Sequence, residues 1–402
     1  MGVNTTRNYL FIMGTNMLNL SSFLYSLSWC LFAATIFTAC KNNKQETVSS
    51  EKFDAIAQNY AEIVLASYQD SYDEAVKLKN LIDDFVADPS EAKFEAAKNQ
   101  WLQARIPYGQ TEAYRFYGGP IDDEDGPEGL INAWPMDENF IDYVEGDSDA
   151  GLINDPATYP EITKEILTSL NEFETEESIF TGYHAIEFLL WGQDLYDDSP
   201  GRRPYTDYVT DGTGTASNQA RRGEYLKTVA DLLLDHLDAV KAEWEKDGAY
   251  RTAFLSLPKD KIVNNIFTAL GKLSKGELSV ERMSVAVELG HQEHEHSCFS
   301  DNTISDIEEN LRGMVNVYTG TYKRVDGSTI TGENYANVAN ALNPQKAQAV
   351  TTAIASAEQA IGAIPSPFDR AIIEDSQVIL DAVTTLKDLS DAFADVAVEL
   401  KK

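Results

Sequence analysis

Cysteine is scarce in this chain, with only Cys30, Cys40 and Cys298 among 402 residues. Two of the three fall in the first forty positions, which read as a cleaved leader, so the mature chain is expected to hold no internal disulfide. That excludes a small disulfide-stapled fold. Stability has to come from a hydrophobic core, which about 360 residues can supply. Basic residues are also few: 32 Lys and Arg stand against 65 Asp and Glu, a formal net charge of −33. Nucleic-acid binding requires the opposite sign, and no polybasic membrane footprint is present. Such a charge draws cations toward the protein and says nothing about its fold. Alternating apolar and polar positions, the signature of half-buried strands, are essentially missing. No P-loop, G-x-G-x-x-G, G-x-S-x-G or Cys-x-x-Cys occurs in a convincing context, and Gly212-Thr213-Gly214 is loop spacing that follows no strand.

What is present begins with residues 1–40, which carry one charge, Arg7. Phe23 to Phe37 is mostly apolar and closes on Thr38-Ala39-Cys40. A short apolar segment ending in small residues predicts a secretory signal. The Cys after Thr-Ala predicts a bacterial lipoprotein, with Cys40 lipidated and residues 41–52 as a polar tether. The alternative is an uncleaved N-terminal anchor, and Met13 or Met17 are further candidate starts.

Beyond the tether the chain predicts an all-α protein of bundled helices joined by long ordered loops, in two domains, 53–250 and 251–402. Helical spacing of apolar residues predicts helices over 55–85, from Ser90 to an interruption at Pro107, and over 161–172, the His184 region, 220–246, 262–273, 278–296, 301–317, 344–361 and 367–400. Gly118–Pro160 and Tyr196–Asn218 are expected to be irregular but ordered.

The chemistry concentrates in two places. Gly182-Tyr183-His184-Ala185-Ile186-Glu187-Phe188-Leu189-Leu190-Trp191-Gly192 sets an imidazole and a carboxylate three residues apart in an apolar run. On a helix the two side chains lie about 60° apart on one face. A metal ion would explain the pair; so would a plain His–Glu hydrogen bond in the core. The second place, Glu288 to Asp301, holds three of the five histidines. Glu293 and His296 have the Glu-x-x-His spacing of carboxylate metal sites in helix bundles, unless this is a solvated helix end where His296 offsets the dipole. Neither place contains H-E-x-x-H or H-x-x-E-H, since Phe188 stands where the second histidine would be.

These blocks, with Trp101…Ala104-Arg105…Tyr108-Gly109-Gln110-Thr111-Glu112-Ala113-Tyr114-Arg115-Phe116, Pro120-Ile121-Asp122, Asn132-Ala133-Trp134-Pro135, Arg203-Pro204-Tyr205, Arg221-Arg222 and Glu281-Arg282-Met283, resemble the imelysin family in order and spacing. That family is described as iron-regulated envelope proteins and grouped with metallopeptidases; its G-x-H-x-x-E signature corresponds to Gly182, His184 and Glu187. The family more often has Glu at His294 and Asp at Ser297. The resemblance implies two helical domains and a role in bacterial iron acquisition. It also implies a metal held by Glu112, His184 and Glu187, with Arg115, Asp122, Glu293, His296, Ser300 and Asp301 around the same pocket.

The leading expectation is therefore a lipid-anchored protein of the bacterial envelope, at the outer membrane and facing the periplasm or the surface, that binds iron or an iron chelate and works with envelope iron-transport partners. Zinc and manganese are the alternative ions. A metal-dependent peptidase and a structural or adhesive lipoprotein are the competing functions.

Overall fold

Helix formation follows the apolar stripes closely. The computed structural model describes residues 49–402, so the leader, Cys40 and most of the tether lie outside the described residues. The helices are α1 Ser50–Ala87, α2 Glu91–Thr111, α3 Glu128–Ile131, α4 Lys164–Leu170, α5 Gly182–Trp191, α6 Gln219–Trp244, α7 Ala249–Leu255 and α8 Lys259–Lys272. After a π-helical stretch, Leu273–Ser284, come α9 Val285–Leu289, α10 Thr303–Thr319, α11 Tyr335–Leu342, α12 Pro344–Ile361, α13 Phe368–Glu374 and α14 Ser376–Leu400. Among the described residues the fold is all-α apart from one hairpin, β1 Thr321–Lys323 with β2 Thr329–Thr331, paired antiparallel with Tyr322 opposite Ile330. The described residues belong to one compact unit, and helices on both sides of residue 250 contribute to one apolar core. Among the described residues no helix is long and apolar enough to cross a membrane.

Four expectations need correction. Pro107 does not end α2, which runs on to Thr111. A proline inside a helix removes one backbone hydrogen bond and costs roughly 3 kcal/mol, but the residues that follow are buried and tied down. Asn310 Nδ2 donates to the Gly109 carbonyl at 2.9 Å, and Asn316 Nδ2 to Gln110 Oε1 at 2.8 Å. The 161–172 segment is helical only over Lys164–Leu170. The tail helix is broken at Asp375 into α13 and α14. The expected helix 278–296 ends at Leu289, where Gly290 turns left-handed (φ 63°), so Glu293 and His296 do not share a helix face.

Helices α2 and α10 cross closely because Gly313 has no side chain; a Cβ there would lie 2.3 Å from the Gln110 carbonyl oxygen. Gly313→Ala should therefore force the two backbones apart and destabilise the protein by about 1–3 kcal/mol, read as a lower denaturation midpoint at unchanged m-value. This crossing matters for function, because α2 and α10 each carry one member of a buried ion pair at the site.

The long loops are anchored by charge. Asp142 accepts from Arg203 Nη1 at 2.7 Å and from Arg222 Nε at 2.6 Å, with all three side chains buried. This joins the 118–160 loop, the second irregular segment and α6 at one point.

Candidate metal centre

Helix α5 is apolar on every side, and all ten of its residues are buried. It lies against α2, where Trp101 Nε1 donates to the Tyr183 carbonyl at 3.0 Å. Its start is fixed by Gly182 (φ 84°), whose missing Cβ would meet the Ile131 carbonyl oxygen at 2.4 Å. His184 and Glu187 therefore sit in the core, with no exposure at all.

Their partners come from the loop before α10. His184 Nδ1 lies 2.8 Å from Glu187 Oε2, and the other Glu187 oxygen accepts from Ser300 N at 2.9 Å and Ser300 Oγ at 2.7 Å. His184 Nε2 faces His296 Nε2 at 3.2 Å. His296 Nδ1 lies 2.7 Å from Asp306 Oδ2, on the first turn of α10. Asp306 in turn accepts from Arg105 of α2 at 3.0 and 3.2 Å, from Ser297 Oγ and from Asn302 Nδ2. The result is one buried line, Glu187–His184–His296–Asp306–Arg105. The loop reaches this shape through left-handed residues at Ser297 and Asp301. The Trp134 ring leans on both imidazoles, 4.8 Å from His184 and 6.2 Å from His296 between centroids.

Burial sets the protonation states. It pushes His184 well below the usual imidazole range, and His296 down to about 4, so both are neutral at neutral pH. It pushes Glu187 up to about 8 against the Ser300 hydrogen bonds. Burial works on Asp306 in the same direction, but Arg105 and His296 outweigh it and hold that carboxyl well below the usual range. With Asp306 ionised, His296 donates a hydrogen bond to it from Nδ1–H and presents a lone pair at Nε2. If Glu187 keeps its proton, it donates to His184 Nδ1, and the His184 Nε2 proton bridges the two rings. If Glu187 ionises, the two Nε2 lone pairs face each other. A cation lying to one side of that line, within reach of both nitrogens, would relieve their repulsion.

Glu112 stands apart from this line. It is buried at the end of α2, accepting on one oxygen from Arg115 Nη1 at 2.7 Å and from Arg282 Nη2 at 2.9 Å, while its other oxygen has no partner. Burial would raise its carboxyl, but the two arginines hold it down at about 2. Arg115 and Arg282 line a cavity of about 330 Å³ together with Glu128, Glu277, Trp134 and His296. His296 is thus shared between the buried line and this cavity. Arg282 comes from the π-helical stretch, whose widened turns also point Glu277 and Glu281 at the cavity.

The other expected pocket residues are scattered. Asp122 holds a turn by accepting from Gly119 N at 3.1 Å and from Phe116 N. Glu293 is half-buried and does not line the cavity, whereas His294 does. Ser300 supports Glu187, and Asp301 faces a separate group of carboxylates. Two members of the line, Asp306 and Arg105, were not singled out as site residues, because no local spacing connects positions 201 residues apart.

Comparisons with known proteins agree with this architecture. Iron-regulated protein A of Synechococcus elongatus is 26% identical over 364 residues, covering 90% of this chain and 89% of that protein. A crystal structure described as an iron-regulated protein A precursor from Parabacteroides distasonis superposes with a TM-score of 0.68 at 18% identity, over 88% of this chain and 96% of that one. An imelysin-like protein from Psychrobacter arcticum gives a TM-score of 0.57 at 15% identity, covering 89% and 95%. Those two structures establish the fold. The family model described as Imelysin matches residues 64–394, most of the chain, and with the signature histidine and glutamate paired in the core this chain belongs to the imelysin family.

Proposed function

We propose that this chain is a metal-binding protein of the bacterial cell envelope that holds ferrous iron, or a small iron complex, between His184 and His296. The observation that carries this reading is the facing pair of imidazoles, with Nε2 atoms 3.2 Å apart. Two nitrogens on one ion at about 2.0–2.1 Å, with an angle between square and tetrahedral, are about 2.8–3.4 Å apart. Each ring is also backed by a carboxylate, Glu187 or Asp306. That is the arrangement metal-bound histidines favour, because the second hydrogen bond fixes the ring and raises its basicity. The residues fit an ion held by the imidazole pair, with Glu187 behind His184, while Glu112 meets two arginines through one oxygen and leaves the other without a partner.

Imidazole donors suit Fe(II) and Zn(II) better than Mn(II). The iron-regulated description of the relatives supports iron. Two protein nitrogens leave the remaining coordination positions to solvent or to a chelator in the adjoining cavity, where Arg115 and Arg282 would favour an anionic one. A peptidase would need a carboxylate free to act as general base. Both oxygens of Glu187 are engaged, which favours binding over hydrolysis.

Calorimetric titration of the metal-stripped protein with Fe(II), Zn(II) and Mn(II) tests the reading. One equivalent of Fe(II) should bind, and His184→Ala should remove that binding with helix content unchanged. Glu187→Gln should weaken it about 10–100-fold. Full affinity in the His184→Ala protein would dismiss the site. The envelope placement rests on the leader-like segment and Cys40. Intact mass of the mature protein checks it, since an unmodified or retained leader would remove the lipid anchor.

A further inference from the structure

A second group of acids lies beyond Ser300, away from the histidines. Asp194, Asp301 and Asp369 offer carboxylate oxygens that all lie within 4.8 Å of one another. Glu295 is fully buried on the same loop as Asp301. Among the described residues none of the four makes a salt bridge. Both oxygens of Glu295, both of Asp369, one of Asp194 and one of Asp301 are buried with no hydrogen-bond partner. Asp194, Glu295 and Asp369 are each at most 4% exposed. Buried carboxylates without a partner are costly, and four together repel one another. Four of these orphaned oxygens belong to the three aspartates whose carboxylates converge, and a bound cation would satisfy them.

We propose that Asp194, Asp301 and Asp369, with Glu295 buried alongside, form a calcium site separate from the histidine centre. The donors are all hard oxygens, which excludes the soft and borderline ions that imidazole attracts. They come from two positions on irregular chain and one on a short helix, with no rigid octahedral frame, which suits calcium's six to eight flexible ligands better than magnesium's strict geometry. The placement gives the ion a task. Asp194 follows the end of α5, Glu295 and Asp301 bracket His296 and Ser300, and Asp369 belongs to α13. A cation there ties the 295–301 loop to the exit of α5, and so holds His296 against His184 and Ser300 against Glu187.

The test uses the whole protein, stripped of metal, in salt at physiological strength to screen its net charge. Calcium should bind with one-to-one stoichiometry in calorimetry and raise Tm by several degrees at millimolar concentration. Asp369→Asn and Asp301→Asn should each weaken calcium binding by at least tenfold. Both variants remove repulsion without changing shape, and circular dichroism should report a native helix content. His184→Ala should leave calcium binding unchanged, which separates this site from the histidine centre. Failure of calcium to bind or to raise Tm would overturn the proposal, as would equal binding in Asp369→Asn. Tighter binding of magnesium than calcium at the same carboxylates would overturn the calcium assignment.

Discussion

His296→Ala is expected to remove measurable Fe(II) and Zn(II) binding, a larger loss than the about 10–100-fold expected when a carboxylate behind a bound imidazole is replaced. The expectation follows from the 3.2 Å approach of its Nε2 to that of His184, which puts both nitrogens within reach of one ion. Folding should survive, because Asp306 keeps its bidentate pairing with Arg105 when His296 is gone. Calorimetry on His296→Ala, Glu187→Gln and Glu112→Gln separates two ligand sets. Loss confined to the histidine variants, with a partial effect of Glu187→Gln, supports the imidazole pair. Tight binding that persists in His296→Ala and disappears in Glu112→Gln would restore the oxygen-rich set that the family resemblance implied.

Asp142→Ala should be the most damaging single change to stability, at about 3–5 kcal/mol, since it strands two buried guanidinium groups. Arg203 and Arg222 are both within 2.7 Å of that carboxylate and almost completely buried. Replacing all three by apolar residues would be far less harmful than removing one. The same triad predicts acid sensitivity. Burial acts to raise the Asp142 carboxyl, but Arg203 and Arg222 more than offset it and hold it below its ordinary value. A group depressed on folding contributes stability that is complete above the unfolded value, about 3.9, and is lost as pH falls toward the folded value. Denaturation midpoints measured from pH 7 downward should therefore begin to fall near pH 4 to 5, and Asp142→Asn should flatten that fall. A midpoint unchanged in Asp142→Ala would mean that the loops are held elsewhere.

The helices were legible wherever a stripe ran uninterrupted: α1, α6, α10 and α12 sit within a few residues of their expected positions. The errors fall where local rules lose to tertiary contacts. Pro107 reads as a stop, yet the Asn310 and Asn316 side chains of α10 hold the turn beyond it. The 291–296 segment has helix-like spacing, but Gly290 turns the chain, and the following loop is shaped by left-handed residues that no periodicity announces. The pairing of His184 with Glu187 could be read from one helix. The meeting of His184 with His296, 112 positions apart, follows from no spacing and was reachable only through the family resemblance, which sets both around one pocket. The carboxylate cluster left no sequence signal at all, because four acids are inconspicuous among 65.

The indole of Trp134 leans on both imidazoles and also lines the cavity. The molecule thus carries an optical reporter at the spot where occupancy changes. A paramagnetic ion at that spot drains the excited state of a neighbouring indole, whereas a closed-shell ion such as zinc does not. Emission followed in the native protein against Trp134→Phe would report filling and emptying of the centre in real time, and would distinguish iron from zinc without a label.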